Sequence, residues 1–162
     1  TATPLQLCNL AASIANRGFF FTPHIHKNTD HTPLPARFLT PHQTQASPEA
    51  YATVVAGMRL AVTKGTATEL NRTSYPVCGK TGTAENAGKD HSAFIGFAPM
   101  NHPKIAIAVY IEHGGFGADM AAPIAGLIME EYLKGRLSPR SLATVKRLER
   151  MQPLEKRVSS TK

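Results

Sequence analysis

Lys80-Thr81-Gly82-Thr83 places an ammonium, two hydroxyls and a glycine in four consecutive residues, the run in this sequence best equipped for chemistry. It follows the apolar stretch from Tyr75 to Cys78 and continues into Ala84, a pattern that predicts a strand over about residues 75–84. Side chains alternate along a strand, so Thr81 and Thr83 share one face while Cys78, Lys80 and Gly82 share the other. The two hydroxyls can hold a carboxylate or carbonyl lying along the strand edge, with the ammonium approaching from the opposite side. Gly82 keeps that edge open to a ligand backbone, and a backbone N–H there is a ready oxyanion donor. The same residues also fit a strand whose lysine snorkels to water and whose threonines are good strand formers. The run alone leaves both readings open.

The elements that must position it are read from caps and periodicity. Thr3-Pro4 is a helix-start signal, and Leu7, Leu10, Ala11, Ile14 and Ala15 recur at helical spacing, predicting a helix over about 4–17 that ends at Gly18. Residues from Phe19 to about 46 read as an extended segment and a Pro/Thr/His-rich connector. Ser47-Pro48 repeats the start signal before Tyr51, Val54, Val55, Met58 and Val62, the face of a second helix that stops at Gly65. Two further strands, about 92–98 and 104–112, flank Pro99-Met100-Asn101-His102-Pro103, a connection suited to an antiparallel hairpin. Large and small apolar residues alternate over Ile105–Ile111, so both faces of that last strand are expected to be covered. A third helix follows over about 119–133, closed by Gly135. The fold class is α+β, an antiparallel sheet covered by helices.

At 162 residues the chain suits one domain, and 42% hydrophobic with 18% charged residues argues against a disordered or coiled-coil protein. No apolar run approaches the roughly 18 residues of a membrane helix. The N-terminus lacks the pattern of a signal peptide, so any export signal is expected outside this chain. The net charge of +7 sits in residues 134–162, which hold nine Lys/Arg against Glu149 and Glu155, 9 − 2 = +7. That tail carries no aromatic residue for base stacking, so nucleic acid is not expected as a partner. Residues 136–162 are expected to be largely flexible, with a short helix allowed over about 140–151. Cys8 and Cys78 cannot make a disulfide framework or zinc site by themselves, and Cys78 reads as a buried thiol. His24 and His26 lack further ligands at metal spacing, and they read, with His91, as solvated side chains.

The neighbours of the Lys80-Thr81-Gly82-Thr83 run decide its reading. Lys-Thr-Gly on a sheet strand is the third in order of three motifs shared by penicillin-binding proteins and serine β-lactamases, and residues 1 to about 135 resemble the former. Thr3-Pro4-Leu5-Gln6-Leu7, Ala15-Asn16-Arg17-Gly18 with Pro23-His24-Ile25, Gly65-Thr66-Ala67, Ala93-Phe94-Ile95-Gly96-Phe97-Ala98-Pro99, and Gly114-Gly115 before Ala122-Pro123 stand in the family's order. The run from Ile111 through Leu133 is most similar to class B enzymes of the elongation type, penicillin-binding protein 2-like. The resemblance implies a membrane-anchored D,D-transpeptidase at the periplasmic, extracytoplasmic face of the bacterial inner membrane. Such an enzyme cross-links peptidoglycan stem peptides through a serine acyl-enzyme, is acylated by β-lactam antibiotics, and works with the cell-elongation machinery, including a membrane glycosyltransferase. No cofactor or metal is implied.

Carried onto this sequence, Lys80 would help proton transfer at the second motif's serine. Thr81 and Thr83 would hold the substrate or β-lactam carboxylate beside Gly82, and the Thr83 N–H would supply half of the oxyanion hole. The family's Ser-x-x-Lys and Ser-x-Asn motifs belong before Thr1. Residues 1–135 are therefore expected to be the C-terminal portion of a transpeptidase domain, inactive by themselves. Ser159-Ser160-Thr161-Lys162 satisfies Ser-x-x-Lys but follows the third motif in a polar basic stretch, and is not read as a nucleophile. Two alternatives are a β-lactamase or β-lactam sensor of the same fold, and a non-enzymatic binding module that uses the basic tail.

Overall fold

A computed structural model of the chain describes residues 2–27, 29, 32–72 and 74–151. Helix α1 spans Pro4–Ala15. Thr3 caps it by accepting from the Gln6 N–H at 3.3 Å while the Gln6 side chain accepts from the Thr3 N–H at 2.8 Å, a reciprocal pair that satisfies two orphan donors. Arg17, at φ 60, closes the other end. Its guanidinium donates to the carbonyls of Ile14 and Ala15, where the helix dipole favours a cation. The same group donates to Met100 at 2.9 Å and lies 5.7 Å from the Phe97 ring centre.

The chain then forms β1 (Phe19–Phe20), a short helix α2 (Ala36–Leu39) and β2 (His42–Gln43). β1 and β2 pair antiparallel, with Phe19 opposite Gln43 and Phe20 opposite His42. Helix α3 covers Pro48–Thr63, with Ser47 accepting from the Ala50 N–H. It buries Tyr51, Val55, Met58 and Val62 as the spacing predicts, but leaves Val54, expected on the same face, exposed. A single 3₁₀ turn at Thr68–Leu70 precedes the strands β3 (Cys78–Ala84), β4 (His91–Ala98) and β5 (Ile105–Ile111). Their order in the sheet is β3-β4-β5, and the links 85–90 and 99–104 are too short for the crossover of about a dozen residues that parallel neighbours need.

β4 is the centre strand and carries the buried residues Ser92, Phe94, Gly96, Phe97 and Ala98. Among the described residues β5 pairs with β4 alone; Ile107 is buried, its neighbours on both faces are half-buried, and Tyr110 is exposed.

Helices α4 (Ala121–Lys134) and α5 (Pro139–Glu149) complete the order. Gly135 ends α4 in the left-handed region at φ 68, where glycine carries no Cβ penalty. α5 lies in the basic stretch, capped by Ser138, and its Ser141 is fully buried and donates to the buried Glu130 carboxylate of α4. Ser159 and the residues around it lie outside the described residues.

The chain resolves into two compact units, one made of the chain up to Lys80 with Ile95–Ala108, the other of Thr81–Phe94 with the chain from Val109. The core of the first gathers Ile14, Ala15, Tyr51, Val55, Met58, Cys78 and Phe97. The second buries Ser92, Phe94, Ala121, Ala122, Ala125 and Met129.

Candidate active site

β3 is the other edge of the sheet, with β4 on one side of it. Along it Cys78 and Gly79 are buried, Lys80 is exposed, Thr81 is buried, Gly82 is half-buried, and Thr83 and Ala84 are exposed. The strand therefore leaves the core after Thr81. The two hydroxyls predicted to act together differ in their surroundings: Thr83 is presented to solvent, and Thr81 is 9% exposed.

Cys78, two positions before Lys80, packs with the first core. Burial pushes its thiol up to about 11, although the nearby charges of Arg59 and Arg17 act in the opposite direction. The thiolate is the reactive form, so iodoacetamide at pH 8 is expected to leave Cys78 unmodified in the native protein and to alkylate it after denaturation. Labelling of the native thiol would show that the core opens there.

Gly82 is not demanded by the protein around it. A Cβ at Gly82 would stand 3.4 Å from the Ala93 Cβ, an ordinary contact. Gly82 is half-buried on this edge strand, and a glycine within a strand marks a place where another backbone approaches closely. Gly117 is the opposite case: a Cβ there would collide with the carbonyl oxygens of Gly82 and Ala93 and come within 3.0 Å of the Gly82 nitrogen. The link between β5 and α4 thus lies directly against the backbone of the motif.

Ser92 fastens that link. Its buried Oγ donates to the Phe116 carbonyl and accepts from the Ala121 N–H, both at 3.0 Å. This supplies α4 with the capping acceptor that Met120 cannot provide. The Gly115 N–H reaches the Asp90 carbonyl at 2.7 Å, and a cavity of about 320 Å³ opens between these loops, lined by Lys89, Asp90, Gly115, Phe116 and Asp119 among others.

His91, expected to be a solvated loop residue, is half-buried and accepts from the His113 N–H at 2.9 Å. The sequence signal at Gly114-Gly115-Phe116-Gly117 marked a turn but gave no sign that His113 and Ser92 would hold it. His24 Nδ1 donates to the Thr22 carbonyl at 2.9 Å, and His26 lines a separate cavity with Pro33, Leu34 and Phe38. Among the described residues no three His, Cys, Asp or Glu side chains are grouped to hold a metal ion, and no helix is long and apolar enough to cross a membrane.

The penicillin binding protein transpeptidase domain pattern matches residues 1–130. The chain belongs to the penicillin-binding protein transpeptidase family. It is 31% identical over 159 residues to the peptidoglycan D,D-transpeptidase MrdA of Haemophilus influenzae, a match that takes in 85% of this chain and 24% of that protein. The crystal structure of Pseudomonas aeruginosa PBP2 in complex with WCK 5153 aligns with a TM-score of 0.74 at 34% identity, covering 94% of this chain and 33% of the other. Penicillin-binding protein A from M. tuberculosis, solved as an imipenem acyl-enzyme complex, aligns with a TM-score of 0.68 at 30% identity over 82% of this chain and 31% of its own. This transpeptidase segment spans about a quarter of the length of the curated relatives it matches. The α+β fold read from the sequence is the fold of these neighbours.

Proposed function

We propose that this segment forms one wall of the active site of a peptidoglycan D,D-transpeptidase of the elongation type, which cross-links stem peptides through a serine acyl-enzyme and is acylated by β-lactams. The observation that carries the reading is the exposure of Lys80 and Thr83 on an edge strand within a stretch matched by the transpeptidase family. In this role Lys80 assists proton transfer at a neighbouring serine, an effect worth about 10²–10⁴ in rate for a positioned group. The Thr83 hydroxyl meets the substrate carboxylate with Thr81 behind it, Gly82 lets the substrate backbone approach, and the Thr83 N–H donates to the developing oxyanion. The nucleophile and its base come from a part of the enzyme outside these 162 residues. We place the enzyme on the extracytoplasmic side of the inner membrane, with a membrane glycosyltransferase as its partner, as the family resemblance suggests.

By itself the wall can offer a β-lactam only exposed hydrogen bonds of about 0.5–1.5 kcal/mol each, too little to offset the entropy lost on association. Covalent capture needs an activated serine. The test is incubation with excess benzylpenicillin followed by intact mass spectrometry. The full-length enzyme containing this chain is expected to gain one penicilloyl group, and the 162-residue chain none. An unmodified full-length enzyme would overturn the transpeptidase reading, and a stoichiometric adduct on the isolated chain would overturn the division of the site.

A further inference from the structure

Ser92 is the second residue of β4, and its side chain is fully buried. A hydroxyl in such a place costs stability unless it is hydrogen-bonded. Both of its roles are used: the O–H donates to the Phe116 carbonyl and a lone pair accepts from the Ala121 N–H, each at 3.0 Å. Gly114 rests on the same side chain, since a Cβ built on it would stand 2.8 Å from the Ser92 Cβ. One side chain of the sheet therefore holds the link between β5 and α4 at its start, at its middle and at its entry into the helix.

Gly117 sits within these holds. The Phe116 carbonyl before it accepts from Ser92 and also from the Asp119 N–H at 3.0 Å, and its own carbonyl accepts from the Ala122 N–H at 2.9 Å. The two peptide groups on either side of the Gly117 Cα are both tied. That Cα faces the motif with no side chain between, because a Cβ there would collide with the carbonyl oxygens of Gly82 and Ala93. The Gly82 carbonyl and the Thr83 N–H are the two ends of one planar peptide group, so a tilt of the first tilts the second by the same angle. Every residue in this series of contacts belongs to the second compact unit.

We propose that Ser92 is a positioning residue for the Thr83 N–H: by fixing the link, it sets where Gly117 meets the carbonyl end of the peptide that carries the oxyanion donor. The inference rests on the transpeptidase reading above. An oxyanion donor is effective only at about 2.7–3.1 Å from the developing charge. Releasing the link therefore slows acylation while every group that touches the substrate stays in place chemically.

The test measures penicillin acylation of the full-length enzyme by stopped flow, separating the noncovalent dissociation constant from the acylation rate constant and counting active sites from the end point. Ser92→Ala removes both bonds. Its rate constant per active site is expected to fall about tenfold, less than the roughly 10²–10³ lost with an oxyanion donor itself, while the dissociation constant holds. Ser141→Ala is the control for stability, because it removes another buried hydroxyl, near the C-terminal end of α4. Its melting temperature is expected to fall and its rate constant per active site to stay at the wild-type value. Ser92→Cys keeps a weaker donor and acceptor and is expected to lie between wild type and Ser92→Ala; it decides by the same criterion if the alanine variant does not fold. A Ser92 variant whose surviving sites react with the wild-type rate constant would reduce Ser92 to a structural role and overturn the proposal. An equal loss of rate constant in Ser141→Ala would overturn it too. A wild-type enzyme that takes up no penicillin overturns the transpeptidase reading instead, and the positioning role falls with it.

Discussion

Lys80→Ala in the full-length enzyme is expected to slow acylation by penicillin by about 10²–10⁴-fold while leaving the fold intact. Lys80 is exposed, whereas Cys78 and Gly79 before it and Thr81 after it are buried, so the truncation removes a charged group without opening a cavity. Stability changes at exposed positions away from core features usually stay within about 0.5 kcal/mol. Lys80→Arg separates two ways the ammonium could act. A guanidinium keeps the positive charge but does not give up its proton at neutral pH. If Lys80 moves a proton, arginine is nearly as slow as alanine; if it supplies only a field, arginine recovers most of the rate. A folded Lys80→Ala enzyme that is acylated at close to the wild-type rate would remove Lys80 from the mechanism.

Gly117→Ala is the second large effect. Its Cβ would meet the carbonyl oxygens of Gly82 and Ala93, and the Gly82 nitrogen at 3.0 Å. These atoms belong to the backbone of β3 and β4, so no side chain can rotate aside to make room. Overpacking at well-filled sites costs about 1–3 kcal/mol and sometimes more, and rigid backbone on three sides puts this position at or above the top of that range. Gly57→Ala is the matched control, because Gly57 lies within α3 with no atom within 4 Å of where its Cβ would stand. There the same methyl group should stabilise by about 0.5–1 kcal/mol, since glycine is the weaker helix former. Chemical denaturation of both variants checks the opposite signs, and the explanation fails if Gly117→Ala is as stable as wild type.

The sequence announced most clearly what is local. Thr3-Pro4 and Ser47-Pro48 marked the starts of α1 and α3 because capping chemistry is confined to a few adjacent residues. The motif was legible for the same reason: alternation within one strand places Lys80 opposite the threonines. What stayed hidden depends on partners far away in the chain. The pairing of Phe20 with His42, the bond from His113 to His91 and the role of Ser92 between Phe116 and Ala121 each join residues separated by about twenty or more positions. The unequal exposure of Thr81 and Thr83 belongs to this class too, since alternation gives a side chain's face but not what covers that face.

The contact between Ser141 and Glu130 bears on where this chain can be cut for expression. The transpeptidase domain pattern ends at residue 130, on the carboxylate itself, and the hydroxyl that answers it lies eleven residues further on, within the 94% of the chain that aligns with the Pseudomonas aeruginosa structure. A gene trimmed to the recognisable stretch, or to the glycine that closes α4, would leave that acid in place and discard its donor, and an orphaned buried group costs more than the bond it lost was worth. A cut that keeps this pair together falls after Glu149, where α5 ends.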